Sequence, residues 1–159
     1  MRLKTAYFFA ILFNVLALVP AGAHLFALPN KIGLPQEQYF VAQGVYRGWA
    51  LFGIVIVAAL LANLALVVML RRRRAPFLWA LIALLAIVGT QIIFWTWTYP
   101  ANQATANWTQ VPDNWRALRD QWEYAHAAGA VLNLIALAAA VLSLLTAARW
   151  TSDQPRSID

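Results

Sequence analysis

WRALRDQWEYAH at Trp115–His126 runs without a break into AAGAVLNLIALAAAVLSLLTAA at Ala127–Ala148, so a dense aromatic and ionisable segment leads straight into an apolar stretch of membrane length. On a 3.6-residue period Trp115, Arg119, Trp122, His126, Gly129 and Asn133 share one stripe, with Glu123 beside His126 at i, i+3. A helix surrounded by lipid has no use for such a stripe, because ionisable groups in hydrocarbon are costly unless paired or turned inward. The segment therefore predicts a helix packed in a bundle, with chemistry concentrated where it enters the membrane.

The remaining sequence supplies the other helices. The chain is 62% hydrophobic with a mean hydropathy of +0.62, more apolar surface than a small soluble globule can bury. Besides the last segment, three stretches reach the roughly 20 residues needed to cross a bilayer. The spans are expected at about 5–26, 44–70, 76–98 and 119–148. The fold class expected is all-α: a four-helix transmembrane bundle, up-down-up-down, forming one domain over residues 1–150 with a short cytoplasmic tail at 151–159.

The formal net charge is +6, but its distribution argues for topology rather than nucleic acid. Arg71, Arg72, Arg73 and Arg74 form one block between the second and third spans, and with Arg2, Lys4, Arg149 and Arg156 they gather the basic residues on one side. By the positive-inside rule that side is cytoplasmic, with both termini inside and the segments near 26–48 and 98–123 outside. The expected location is the inner (plasma) membrane of a bacterium, multi-pass, with an extracytoplasmic functional face. Membrane lipid and a lipophilic small molecule are the expected partners, with a homo-oligomer open and no nucleic acid. The absence of cysteine removes thiolate nucleophiles, iron–sulfur clusters and disulfides.

The first span begins basic and ends Ala-Gly-Ala before His24, which is also the pattern of a cleavable signal. Retention is the expectation, because an uncleaved helix completes an even bundle. Cleavage after Ala23 would instead leave His24 as a new amino terminus, the ligand arrangement of a copper histidine brace. Pro29 and Pro35 read as loop punctuation, and Gly44 with Gly48 as a close helix contact. Pro100 marks the exit from the third span. Trp97, Tyr99, Trp108 and Trp150 read as an interfacial aromatic belt. Asn14, Asn63 and Asn133 read as interhelical hydrogen-bonding groups.

With this topology His24, Gln43, Arg47, Gln91, Asn102, Arg119, Glu123 and His126 all fall near one interface, which suggests an outward-opening pocket. Glu-x-x-His is half of a dimetal signature. His24, Glu123 and His126, with Glu37 as a fourth candidate, would hold a transition metal such as iron, copper, manganese or zinc. Alternatively His24 and His126 are axial ligands of one b-type haem, or no cofactor is used. Arg119 and Glu123 are spaced for an i, i+4 ion pair.

HLFALPNKI at His24–Ile32, Gln43 with YRGW at Tyr46–Trp49, FWTWTYPAN at Phe94–Asn102 and NWTQVPDNWRALRDQWEYAHA at Asn107–Ala127 together resemble the small four-helix membrane proteins of the anthrone-oxygenase-like family. Bacterial members are mostly of unknown function, and the fungal oxygenases convert an anthrone to an anthraquinone without a cofactor. The resemblance implies roles for Asn102, Trp115, Arg119, Trp122 and His126. The expectation is a membrane oxygenase or related oxidoreductase acting on an aromatic or quinone-like molecule. His126 would be the base, Glu123 its orienting partner and Arg119 the oxyanion donor, with Trp95, Trp115 and Trp122 stacking on a substrate whose polar edge meets Gln43, Asn102 and Gln91. The alternative is a non-catalytic membrane subunit or a protein that binds a ligand or lipid.

Overall fold

The computed structural model describes residues 2–152, with side chains as far as residue 148. Met1, Arg156 and the tail from residue 153 lie outside the described residues, and the Arg149 and Trp150 side chains lie outside them too. The described residues form helices joined by turns, with no strand among them. Helix α1 is Arg2–Lys31, α2 Gln36–Gln43, α3 Gly53–Leu70, α4 Arg74–Ile93, α5 Tyr99–Ala104 and α6 Trp115–Ser152. Two short 3₁₀ turns, Gly44–Tyr46 and Trp49–Phe52, form a strap between α2 and α3, and a π-helical segment, Phe94–Thr98, joins α4 to α5.

Four helical stretches are long and apolar enough to span a membrane: Arg2–Lys31, Trp49–Leu70, Arg74–Ala104 and Trp115–Ala148. α1 and α4 each pack on α3 and α6, so the four close into a ring. The chain alternates direction. Tyr7 near the start of α1, Leu70 at the end of α3, Ala80 in α4 and Ala147 in α6 meet in one cluster beside the arginine turn. His24, Trp122 and His126 meet at the opposite end.

Alanine dominates the interior, with Ala10, Ala17, Ala59, Ala83, Ala136 and Ala140 all buried, while Phe8, Val19, Ile54, Leu61 and Leu134 point outward. In lipid this is economical: small residues let helix backbones approach, and large apolar side chains lose nothing by facing acyl chains. At Gly89 an added Cβ would stand 3.1 Å from Leu132 Cδ1, which marks the tight approach of α4 to α6.

Polar groups punctuate this interior in layers. Near the arginine turn Ser143 Oγ donates to the Pro76 carbonyl at 2.7 Å, so the 2.9 Å contact with Tyr7 Oη has the phenol as donor. Midway, Asn63 Nδ2 donates to Asn14 Oδ1 at 2.9 Å and Asn14 Nδ2 returns a longer bond at 3.4 Å. The expected interhelical role therefore holds for this pair. Asn133 differs, because its Nδ2 donates to the Gly129 carbonyl of its own helix.

Three expectations about the chain path are corrected. Pro29 lies inside α1, which continues to Lys31. Pro100 lies in the first turn of α5 rather than ending the span, and the wider π turn before it accommodates a residue that lacks an N–H and crowds the preceding carbonyls. Gly44 and Gly48 make no close helix contact, since nothing lies within 4 Å of a Cβ built on either. Gly48 is needed for its backbone: φ of +86° reverses the strap between its two turns.

Replacing Asn63 by Leu should strand the Asn14 amide and cost about 1–2 kcal/mol of stability. Unfolding of the detergent-solubilised protein would measure this, and the double variant Asn14→Leu with Asn63→Leu should recover most of the loss.

Candidate functional site

Extension of α1 past Pro29 puts Ala10, Ala17, His24 and Lys31 at steps of seven on one buried seam. Lys31, in the last turn of α1, is only 6% exposed, and Glu123 of α6 only 1%. Their Nζ and Oε1 atoms stand 2.9 Å apart. The ammonium also lies 4.5 Å from the centre of the Tyr46 ring and 5.0 Å from that of Trp122, two cation–π contacts inside an aromatic box. Removing one member of a buried ion pair typically costs roughly 3–5 kcal/mol, because the other charge is left unpaired.

Glu123 Oε1 takes a second partner from α2. Tyr39 Oη donates to it at 3.0 Å, and Gln43 Nε2 in turn donates to Tyr39 Oη. Four residues separate Tyr39 and Gln43, so one face of α2 carries both. Burial first, and the nearby Glu123 charge second, push the Tyr39 phenol above the usual tyrosine range, so it remains a hydrogen donor.

Beside this network His24 and His126 face each other with ring centroids 4.2 Å apart and planes at 51°. His126 Nδ1 lies 2.9 Å from the Trp122 carbonyl of its own helix. A carbonyl only accepts, so Nδ1 carries the hydrogen and Nε2 keeps its lone pair. Trp122 lies against His126 with centroids 3.9 Å apart and planes tilted by 38°, and meets His24 edge-on at 5.0 Å. The strap closes the remaining side, with Tyr46 4.3 Å and Trp49 5.4 Å from the His24 ring.

Trp122 is held from behind by Asn102. Its Nε1 donates to Asn102 Oδ1 at 2.8 Å, and Trp108 Nε1 donates to the same oxygen at 3.2 Å. To deliver Trp108 the chain holds Ala106, Asn107 and Trp108 consecutively at φ of 47°, 55° and 63°. Left-handed backbone at non-glycine residues costs on the order of 1 kcal/mol or more each. Thr105 offsets part of that cost: its hydroxyl accepts from the Trp108 N–H at 3.1 Å and its carbonyl from the Thr109 and Gln110 N–H groups.

Tertiary packing thus gathers His24, Gln43, Asn102, Trp122, Glu123 and His126 from the expected set. Trp115 is also buried, packed on Tyr39 and Phe40. Other members are placed elsewhere. Arg119 does not pair with Glu123; its Nε bonds Asp120 at 3.0 Å and its Nη1 reaches the Leu34 carbonyl, because Lys31 already occupies the carboxylate. Arg47 is exposed, since the helical register that would align it with Gln43 breaks at the strap. Trp95 is 60% exposed, meeting Phe94 edge-on and Tyr99 at a tilt. Gln91 donates to its neighbour Thr90. Trp108 leaves the expected belt for the interior, whereas Trp97 and Tyr99 face outward.

The cluster is closely packed: His24, Trp122 and Glu123 are buried, and His126, Tyr46 and Trp49 are partly exposed. Two surface grooves, one lined by Phe9, Phe13 and Leu61 and the other by Phe40, Trp108 and Val111, bypass both histidines. Among the described residues no three His, Asp or Glu side chains gather as a metal-holding group. Glu37 is exposed on α2, and the position beside Glu123 where a metal cation would sit belongs to the Lys31 ammonium. A b-type haem does not fit either. Axial imidazoles need roughly 2 Å of metal bond on each side and the macrocycle between them, whereas these rings are in direct contact.

Lys31, Tyr39, Tyr46 and Trp49 are not among the expected site residues, although Lys31, Tyr46 and Trp49 lie in segments that carry the family resemblance. The seven-residue step from His24 to Lys31 was a signal, obscured by the loop reading of Pro29. The molecule is an all-α bundle of four membrane-length helices with an ionic and aromatic cluster buried at one end. Neither the protein-family models, the curated proteins nor the solved structures contain a match to the chain.

Because folding raises the Tyr39 phenol above its ordinary value of about 10, the stability linked to it is present below that pH and is lost as pH climbs beyond it. Tyr39→Phe should lower stability at neutral pH, by depriving Gln43 and Glu123 of a partner, and should flatten the decline above pH ~10. Parallel slopes for the two proteins in pH-dependent unfolding would rule out that linkage.

Proposed function

We propose that this protein is a membrane oxygenase or related oxidoreductase, similar to the anthrone-oxygenase-like family, acting on a lipophilic aromatic or quinone-like molecule at the His24–His126 cluster. The arginine turn supports a cytoplasmic placement of that end, which puts the cluster on the extracytoplasmic side of a bacterial inner membrane. The observation that carries the reading is His126: its Nδ1–H is committed to the Trp122 carbonyl, which leaves Nε2 as a base among aromatic rings.

In this mechanism Nε2 removes a proton from the substrate, and the resulting electron-rich carbanion reacts with dioxygen. The balance for a ring methylene is CH₂ + O₂ → C=O + H₂O: one oxygen atom enters the carbonyl and the other leaves as water with both hydrogens. Trp122, Tyr46 and Trp49 exclude water from the reacting carbon. Entry requires the strap Gly44–Phe52 to move, since Tyr46 and Trp49 cover His24. The arginine once expected to steady the oxyanion is committed to Asp120 and Leu34.

The closed packing favours a second reading, a non-catalytic subunit in which the cluster only braces the fold. The two differ in what His126 contributes. His126→Ala should leave a folded bundle whose oxidation of an added anthrone, followed by absorbance, drops at least roughly 100-fold. Wild-type turnover by that variant would end the catalytic reading, and loss of the fold in both His126→Ala and His126→Gln would favour the structural one.

A further inference from the structure

The Lys31–Glu123 pair is not saturated by its neighbours. Glu123 Oε1 carries both the ammonium and the Tyr39 phenol, while Glu123 Oε2 is buried with no hydrogen-bond partner. Gln43 Oε1 and His24 Nδ1 are likewise buried and unpartnered. Lys31 has three N–H donors, and its contacts beyond Glu123 are the faces of Tyr46 and Trp122. A pair whose only task was to brace the bundle would be expected to satisfy both carboxylate oxygens, since each unpaired buried polar group costs about 1–3 kcal/mol.

We propose that Lys31 and Glu123 form a binding site for the hydroxyl of a flat aromatic alcohol, a phenol or enol, with the hydroxyl donating to Glu123 Oε2 and accepting from Lys31 Nζ. The protein itself displays the required chemistry on the other carboxylate oxygen. There the phenol of Tyr39 donates to Oε1 while accepting from an N–H donor, Gln43 Nε2. A ligand phenol on Oε2 repeats that pattern, with the ammonium in the place of the amide. One oxygen serves as both donor and acceptor, which neither a carbonyl nor an ether can do.

The surroundings select the rest of the ligand. Tyr46 and Trp122 present ring faces beside the ammonium, and Trp49 and His126 continue the aromatic wall. An aromatic ring attached to the hydroxyl would stack there, while a hydrated or charged group would find no water to replace its own shell. Tyr46 belongs to the strap, whose two turns are each closed by a 3.2 Å backbone bond on either side of Gly48. Rotation at that glycine moves the Tyr46 ring off Lys31 and His24 and makes room for the ligand ring.

This inference rests on reading the cluster as a substrate site, but its test needs no turnover. The full-length protein in detergent would be titrated with 4-nitrophenol, whose absorbance reports binding and ionisation, and with 4-nitroanisole, the same ring with the hydroxyl methylated. Wild-type protein should bind the phenol at least roughly tenfold more tightly than the ether. The double variant Lys31→Met with Glu123→Gln removes both charges together, so neither is left buried alone, and the introduced amide oxygen still accepts from Tyr39. It should remain folded by circular dichroism and thermal unfolding and bind phenol and ether equally weakly. Glu123→Gln alone, folded, should also lose the preference for the phenol.

Equal binding of the two probes by wild-type protein would overturn the proposal and leave the unpartnered atoms to buried water. Retention of the phenol preference by the double variant would overturn it as well. His126→Ala should keep the phenol preference while losing oxidation. Normal turnover by His126→Ala with intact phenol selectivity would therefore remove the oxidoreductase reading alone.

Discussion

A carboxylate 1% exposed, at the end of a bundle built for hydrocarbon, is the constraint to which the far half of this molecule answers. Transfer of an ionised group out of water is costly enough that the fold must bring it a counter-charge and hydrogen donors. Lys31 supplies the charge from the final turn of α1, and Tyr39 supplies the donor from α2. Both arrive only because α1 continues through Pro29 and the chain then turns back within a few residues. The path between the first two spans, which would otherwise be an arbitrary loop, is dictated by the needs of Glu123.

The same logic orders the aromatic residues around it. Trp122 sits between the ammonium and the two imidazoles, and its orientation is fixed by a single amide oxygen, Asn102 Oδ1, shared with Trp108. Trp108 reaches that oxygen through three consecutive left-handed residues. Backbone strain stored at this point is consistent with a cluster held in one arrangement by its surroundings. Among the described residues the other half of the bundle buries no comparable ion pair. Its polar layers, Asn14 with Asn63 and Tyr7 with Ser143 and Pro76, pair within themselves and register the helices.

Closure of the site gives it a distinctive physical character. Among buried aromatic rings each hydrogen bond and charge acts at lower dielectric than in water, so the unpartnered atoms of Glu123, Gln43 and His24 carry more consequence than they would at a surface. The strap that completes the enclosure is the least regular of the described elements around the cluster, held to His24 by ring contacts. Its Tyr46 ring also lies against Lys31 and Trp122, so the strap is joined to the same cluster that it covers.

The sequence by itself determined the four apolar spans, their alternating direction and the end of the bundle at which polar residues collect. Hydropathy over some 20 residues and the 3.6-residue period are local properties, legible without knowledge of any partner. It also placed His24, Gln43, Asn102, Glu123 and His126 at one level. Only the tertiary structure decided which of these groups touch. Arg119 four residues before Glu123 looked like its partner, yet the pair belongs to Lys31, far earlier in the chain. Arg47 and Trp95 had the right depth but the wrong face, because a 3₁₀ strap and a π turn shift helical phase in ways the periodic reading does not register. An ion pair forms where two side chains can shed water together, and that depends on how whole helices pack rather than on spacing along one of them.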